Sequence, residues 1–102
     1  MKLTFDKPYE FEGKSYNELD IPLENINGKE LLKYHKSYVN SKAKPQERVQ
    51  ASNLLLTVSG DPDFALFIAA SASQQPIEFF ENLPAKEVVY VIAQISSFLL
   101  VY

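Results

Sequence analysis

A chain of 102 residues with 46% hydrophobic content is long enough for one compact core and short for two. Cysteine is absent, which excludes disulfides, thiolate metal ligands and cysteine nucleophiles and fits a reducing compartment. Net charge is −3, but Lys29, Lys33, Lys36, Lys42, Lys44 and Arg48 are opposed in their own stretch only by Glu30 and Glu47, while the rest is acidic.

The first residues predict a β-hairpin over 1–24. Leu3, Phe5, Tyr9 and Phe11 share one parity, and Leu19, Ile21 and Leu23 share another run of the same kind. Glu12-Gly13-Lys14 supplies the turn, with glycine free to take a positive φ. Pro8 has no N–H for a ladder, so the first strand is expected to be an edge or to break there, and Pro22 closes the second. Two strands alone are marginal in water, so the hairpin has to lie on helices or pair with another chain. No apolar run typical of a signal peptide follows Met1.

Helical signals begin at Asn27. Asn27-Gly28-Lys29-Glu30 resembles a capping box, and Leu31, Leu32, His35, Tyr38 and Val39 follow at helical spacing. A mobile connector is expected near 40–46, and Leu54 to Val58 is a short apolar run read as helix. Ser59-Gly60 breaks the chain, Asp61 can cap, and Pro62 suits a first helical position. Phe64, Phe67 and Ile68 mark one face of that helix; Ala65, Ala69 and Ala72 mark a flatter one. Gln75-Pro76 opens a short turn of helix with Ile77, Phe79 and Phe80, and Asn82-Leu83-Pro84 opens the last helix. The expected fold class is α+β: a single domain with an N-terminal hairpin and a mostly helical region of about four helices over 27–102.

Chemistry is hard to place on these residues. His35 is the one histidine, no serine sits in a glycine-flanked elbow, and no phosphate-cradling glycine loop exists. Asp61 and Asp63 lack the further carboxylates of a calcium loop and suit a helix start instead. The expectation is a protein without catalytic, metal or cofactor residues. The lysine-rich stretch reads as a solvated helix face; arginine is too sparse there for a typical nucleic-acid binder, so no nucleic-acid partner is expected.

The last helix carries the binding expectation. Glu87, Tyr90, Gln94 and Ser97 trace a narrow polar stripe, and apolar residues cover the remainder. Either this helix is central in the core, or it buries a second face against a partner, whether another protein or another copy of the chain. Candidate protein-binding residues are Phe79, Phe80, Val89, Ile92, Leu99, Leu100 and Tyr102. For Phe79 and Phe80, one ring can enter the core while the other lies near the surface, or both can be core. The stretch Val88 to Tyr102 is too short and too interrupted to span a bilayer, so no membrane partner is expected.

Several of these segments, taken in order, resemble phage tail assembly chaperones. Leu3-Thr4-Phe5-Asp6-Lys7-Pro8, then Glu12-Gly13-Lys14, then Leu19-Asp20-Ile21 are similar to that family's opening strand, Gly-Lys turn and second strand. Asn27-Gly28-Lys29-Glu30-Leu31 stands where its first helix starts. Asp63-Phe64 through Ile68-Ala69-Ala70, Gln75-Pro76-Ile77-Glu78 and Leu83-Pro84-Ala85-Lys86-Glu87 to Phe98-Leu99 resemble its helical region. The motifs are short, and the connector from Asn40 to Ser52 has no counterpart among them. The resemblance implies a non-catalytic factor of the host cytoplasm, absent from the mature virion. It would bind a helical tape-measure protein and help recruit tail-tube subunits. A minor structural virion protein and a small nucleic-acid-binding regulator are the alternatives.

Overall fold

The computed structural model describes residues 1–42 and 61–100. Two antiparallel strands, β1 (Lys2–Phe11) and β2 (Lys14–Asp20), form the hairpin, joined by the two residues Glu12 and Gly13. Both take positive φ, 49° and 80°, the combination that matches strand twist in a two-residue loop. Glycine was expected to supply that conformation; Glu12 shares it. The ladder is irregular where Pro8 sits. Thr4 pairs with Glu18 and Tyr9 with Tyr16, so Phe5 to Pro8 bulge opposite Asn17 alone. The missing proline N–H therefore falls in the bulge and costs no ladder bond.

This bulge changes which β2 residues face inward. It inserts an odd number of residues, so β1 keeps Leu3, Phe5, Tyr9 and Phe11 toward the helices. On β2 the inward set passes from Leu19 to Tyr16, three positions apart, and both are partly buried against the core. At the open end the Met1 amine donates to the Ile21 carbonyl at 2.9 Å, and the Ile21 N–H donates back to Met1 at 2.7 Å. A single 3-10 turn, Leu23–Asn25, buries Leu23 and leads to the helices.

Helix α1 runs Gly28–Asn40, and Asn27 caps it: its Oδ1 accepts from the Glu30 N–H at 2.9 Å. The helix includes Asn40, the residue at which the sequence places the start of a mobile connector. Ser41 ends the helix by donating its hydroxyl to the Tyr38 carbonyl at 2.6 Å and its N–H to Ser37, which satisfies carbonyls of the last turn. The remainder of the expected connector, and the helical reading of Leu54 to Val58, lie outside the described residues.

Helix α2 (Pro62–Ser73) has Pro62 in its first turn and Asp61 as N-cap, whose Oδ1 accepts from Asp63 N–H at 3.0 Å. It is the central helix. It packs against α1, α3 (Ile77–Glu81) and α4 (Ala85–Leu100), and Phe64, Ala65, Leu66, Ile68, Ala69 and Ala70 are all buried. A helix apolar on all sides has to be surrounded. Its alanines keep the neighbours close. The α2 end is turned by Gln74, in left-handed conformation at φ 60°.

One core joins the hairpin to the helices: Leu3, Phe5, Ile21, Phe64, Ile68, Phe79, Phe80, Val91 and Ile95 are among its buried members. Phe79 is its aromatic hub. Tyr9, Phe11 and Tyr16 pack edge-on against it at 5.1, 5.2 and 5.1 Å, and the Tyr9 hydroxyl donates to the Phe79 carbonyl at 2.8 Å. The hairpin is thus held on the helices, which meets the need for support that two strands have. The architecture is α+β: a hairpin, then four α-helices among the described residues.

Candidate functional site: the outer face of the last helix

Helix α4 has two unlike faces. Val91 and Ile95 are fully buried, and Val88, Ile92 and Leu99 pack partly buried beside them against the core. These positions recur at three and four residues and use up the face toward α2. On the other side Val89 is 64% exposed, Tyr90 47% and Phe98 44%. Ala93, Gln94 and Ser97 fill the space between them, all exposed. No charged residue occurs from Val88 to Leu100. The outer face therefore offers two aromatic rings, one branched aliphatic and small neutral groups.

The candidate residues separate under this geometry. Val89 lies on the outer face. Ile92, Leu99 and Leu100 are half-buried, with Ile92 and Leu99 packed on the core. Phe79 and Phe80 both have no exposed surface, so of the two readings left open the one with both rings in the core holds, and neither ring is available to a partner. The reason is local. The short helix α3 is tucked between the hairpin and α2, and adjacent residues on it, about 100° apart around its axis, each meet a wall. Tyr102 lies outside the described residues.

Tyr90 and Phe98 belong to the face yet were not among the candidates. Tyr90 belongs to the polar stripe by its hydroxyl, which masks a large apolar ring. The row Tyr90, Gln94, Phe98 has strict spacing of four, so extending the stripe one step would have found Phe98. Beside Tyr90 the face runs into a shallow cleft along β1, lined by Leu3, Thr4, Asp6, Lys86 and Glu87. The Lys86–Asp6 pair at 3.6 Å links the bulge to the first turn of α4 across it.

A second cleft lies between α1, α2 and α3, with Tyr38, Lys42, Asp63, Phe67, Ile77 and Glu81 around it. Here Tyr38 is held firmly. Its hydroxyl donates to Asp61 Oδ2 at 2.6 Å, its ring packs on Phe64 and Phe67, and the Lys42 ammonium lies 4.3 Å from the ring centroid. Burial first, then the hydrogen bond and the charges of Asp61 and Asp63, push the phenol far above its ordinary value of 10.0. Such a hydroxyl stays protonated and ties α1 to the cap of α2. His35 packs edge-on against Phe64 at 5.8 Å, on the same α1–α2 seam. No group of three or more metal-binding side chains gathers among the described residues. No helix among them is long and apolar enough to cross a membrane.

No family model matches this sequence, and neither a curated protein nor a solved structure is detectably similar to it.

Proposed function

We propose that the chain is a non-catalytic assembly chaperone for a phage tail, acting in the host cytoplasm on a helical tape-measure protein and leaving before the virion is complete. The observation that carries the binding part of this reading is the outer face of α4. Val89, Tyr90 and Phe98 stay exposed on a helix that carries no charge from Val88 to Leu100, although the core is filled by Phe64, Phe79, Phe80, Val91 and Ile95. A face of that kind suits an amphipathic client helix laid along it, anchored by apolar residues at helical spacing. Repeated weak contacts of this type along a long client would let tail-tube subunits displace the chaperone. The choice of client rests on the order of short motifs that resembles tail assembly chaperones, from Lys7-Pro8 to Phe98-Leu99.

Co-expression with the large helix-rich tail protein encoded alongside it tests the reading. The expected result is a soluble complex that elutes together in gel filtration. If the client stays insoluble and no complex forms, the chaperone function fails. Recovery of the chain in purified particles would instead make it a structural virion component.

A further inference from the structure

The hairpin leaves one edge of β1 unpaired beside the last helix. Met1 and Ile21 exchange both backbone hydrogen bonds, at 2.9 and 2.7 Å. Bonded and non-bonded pairs alternate along an antiparallel ladder, so Leu3 and Leu19 form the next bonded pair. Lys2 and Thr4, opposite Asp20 and Glu18, therefore turn their N–H and C=O groups away from β2. Neither makes a backbone hydrogen bond to another element among the described residues. Beyond Thr4 the bulge from Phe5 to Pro8 breaks the row, and Pro8 has no N–H to offer. The stretch open to another extended backbone is thus Lys2–Thr4.

This edge borders a hollow. A cleft of about 200 Å³ runs along Lys2, Leu3 and Thr4, with Lys86, Glu87 and Tyr90 of α4 as its far wall. At the bulge a second hollow, of about 330 Å³, shares Asp6, Lys86 and Glu87 with the first and is framed by Phe5, Pro8, Tyr9 and Pro84. Charge is balanced along both. Lys2 pairs with Glu18 at 3.5 Å and Lys86 with Asp6 at 3.6 Å, while Glu87 sits in the first turn of α4, where the helix dipole favours an acid. The site offers backbone partners along one side and apolar surface at its end, and it calls for no charge on what it binds.

We infer that β1 binds a short, extended, uncharged peptide segment of another protein, added as a third strand along Lys2–Thr4, with one aromatic or large aliphatic side chain lodged in the hollow at the bulge. Main-chain bonds to Lys2 and Thr4 supply the affinity, and the hollow supplies the selectivity. The occupant is a lone peptide rather than the edge of a folded second copy. A copy's own second strand would have to lie about 4.8 Å further out, where α4 closes the cleft. The site takes an extended segment on the hairpin, so it is distinct from the helical client on the outer face of α4.

Selection of a displayed library of short random peptides on the full chain tests this, followed by titration of the enriched peptides into isotope-labelled protein. The expected sequences are uncharged and carry apolar residues at every second position, one of them aromatic or large aliphatic. Their binding should shift the amide signals of Lys2 and Thr4 and slow hydrogen exchange at both, with the paired Leu3 amide little changed. Thr4→Pro deletes an edge donor without touching the ladder and should weaken binding about tenfold, whereas Thr4→Ala keeps the N–H and should bind as the wild type does. Should Thr4→Pro misfold, the exchange rates at Lys2 and Thr4 in the wild type decide alone. Enriched peptides with apolar residues at helical spacing, peptides that leave both amides exchanging freely, or no enrichment over an unrelated protein would each overturn the inference. So would protection of Lys2 and Thr4 that grows with the concentration of the chain alone, since the occupant is then a second copy. No client is present in this experiment, so its outcome does not depend on whether the chain is a chaperone.

Discussion

At the scale of single residues, two positions show how local chemistry is bent to the fold. Glu12 takes φ 49° because the two-residue loop needs left-handed backbone at both of its residues. Glutamate gains nothing there, whereas asparagine tolerates that region well. Glu12→Asn should therefore stabilise the protein by about 0.5–1 kcal/mol, read as a higher urea midpoint with unchanged slope. Tyr38 is the second. Its bond to Asp61 joins α1 to the start of α2, and Tyr38→Phe should cost about 1–2 kcal/mol through loss of a charge-assisted hydrogen bond. The same residue sets an alkaline limit. Its folded pKa lies above the unfolded value of 10.0, so its share of stability is complete below pH 10.0 and is lost as pH rises beyond it. Tyr9, raised by burial, acts in the same direction. Unfolding curves above pH 10.0 should fall less steeply in Tyr38→Phe than in the wild type; equal slopes would contradict the assignment.

Among the elements, α4 divides its residues by consequence. Val89→Asp places charge on the most exposed apolar position and should change stability by about 0.5–1 kcal/mol, whereas Phe98→Asp also gives up the covered part of its ring and should cost about 1–2 kcal/mol; together they should abolish client binding in gel-filtration assays. Leu99→Asp puts a carboxylate on a half-buried side chain that packs on the core, and it should lower stability by several kcal/mol in the same urea titrations. If Val89→Asp/Phe98→Asp still carries the client into solution, the binding face is elsewhere. This division was half visible in the sequence. The narrow polar stripe showed that α4 had more apolar surface than a simple surface helix, but the stripe could not say which apolar row met α2. Only the buried pair Val91 and Ile95 settles that, because the direction of packing is a tertiary choice.

For the whole molecule, the aromatic clasp of Tyr9, Phe11 and Tyr16 on Phe79 makes the hairpin and helices one cooperative unit. Tyrosine fluorescence, which in part reports the hairpin through Tyr9 and Tyr16, and the far-UV helix signal should then lose structure at the same urea concentration. Two separated transitions would show that the halves fold independently. What the sequence determined by itself was the kind and order of elements. Proline, glycine and capping residues act on their near neighbours, so Asn27, Asp61-Pro62 and Gly13 mark helix starts and a turn without any knowledge of the fold. The tertiary structure decided which apolar surfaces became core. It sent both Phe79 and Phe80 inward, moved the inward face of β2 across the bulge, made α2 rather than α4 the central helix and left Tyr90 and Phe98 outside. Each of these depends on contacts between distant segments, where an apolar side chain is equally content against any wall that excludes water, and only the complete set of walls selects one.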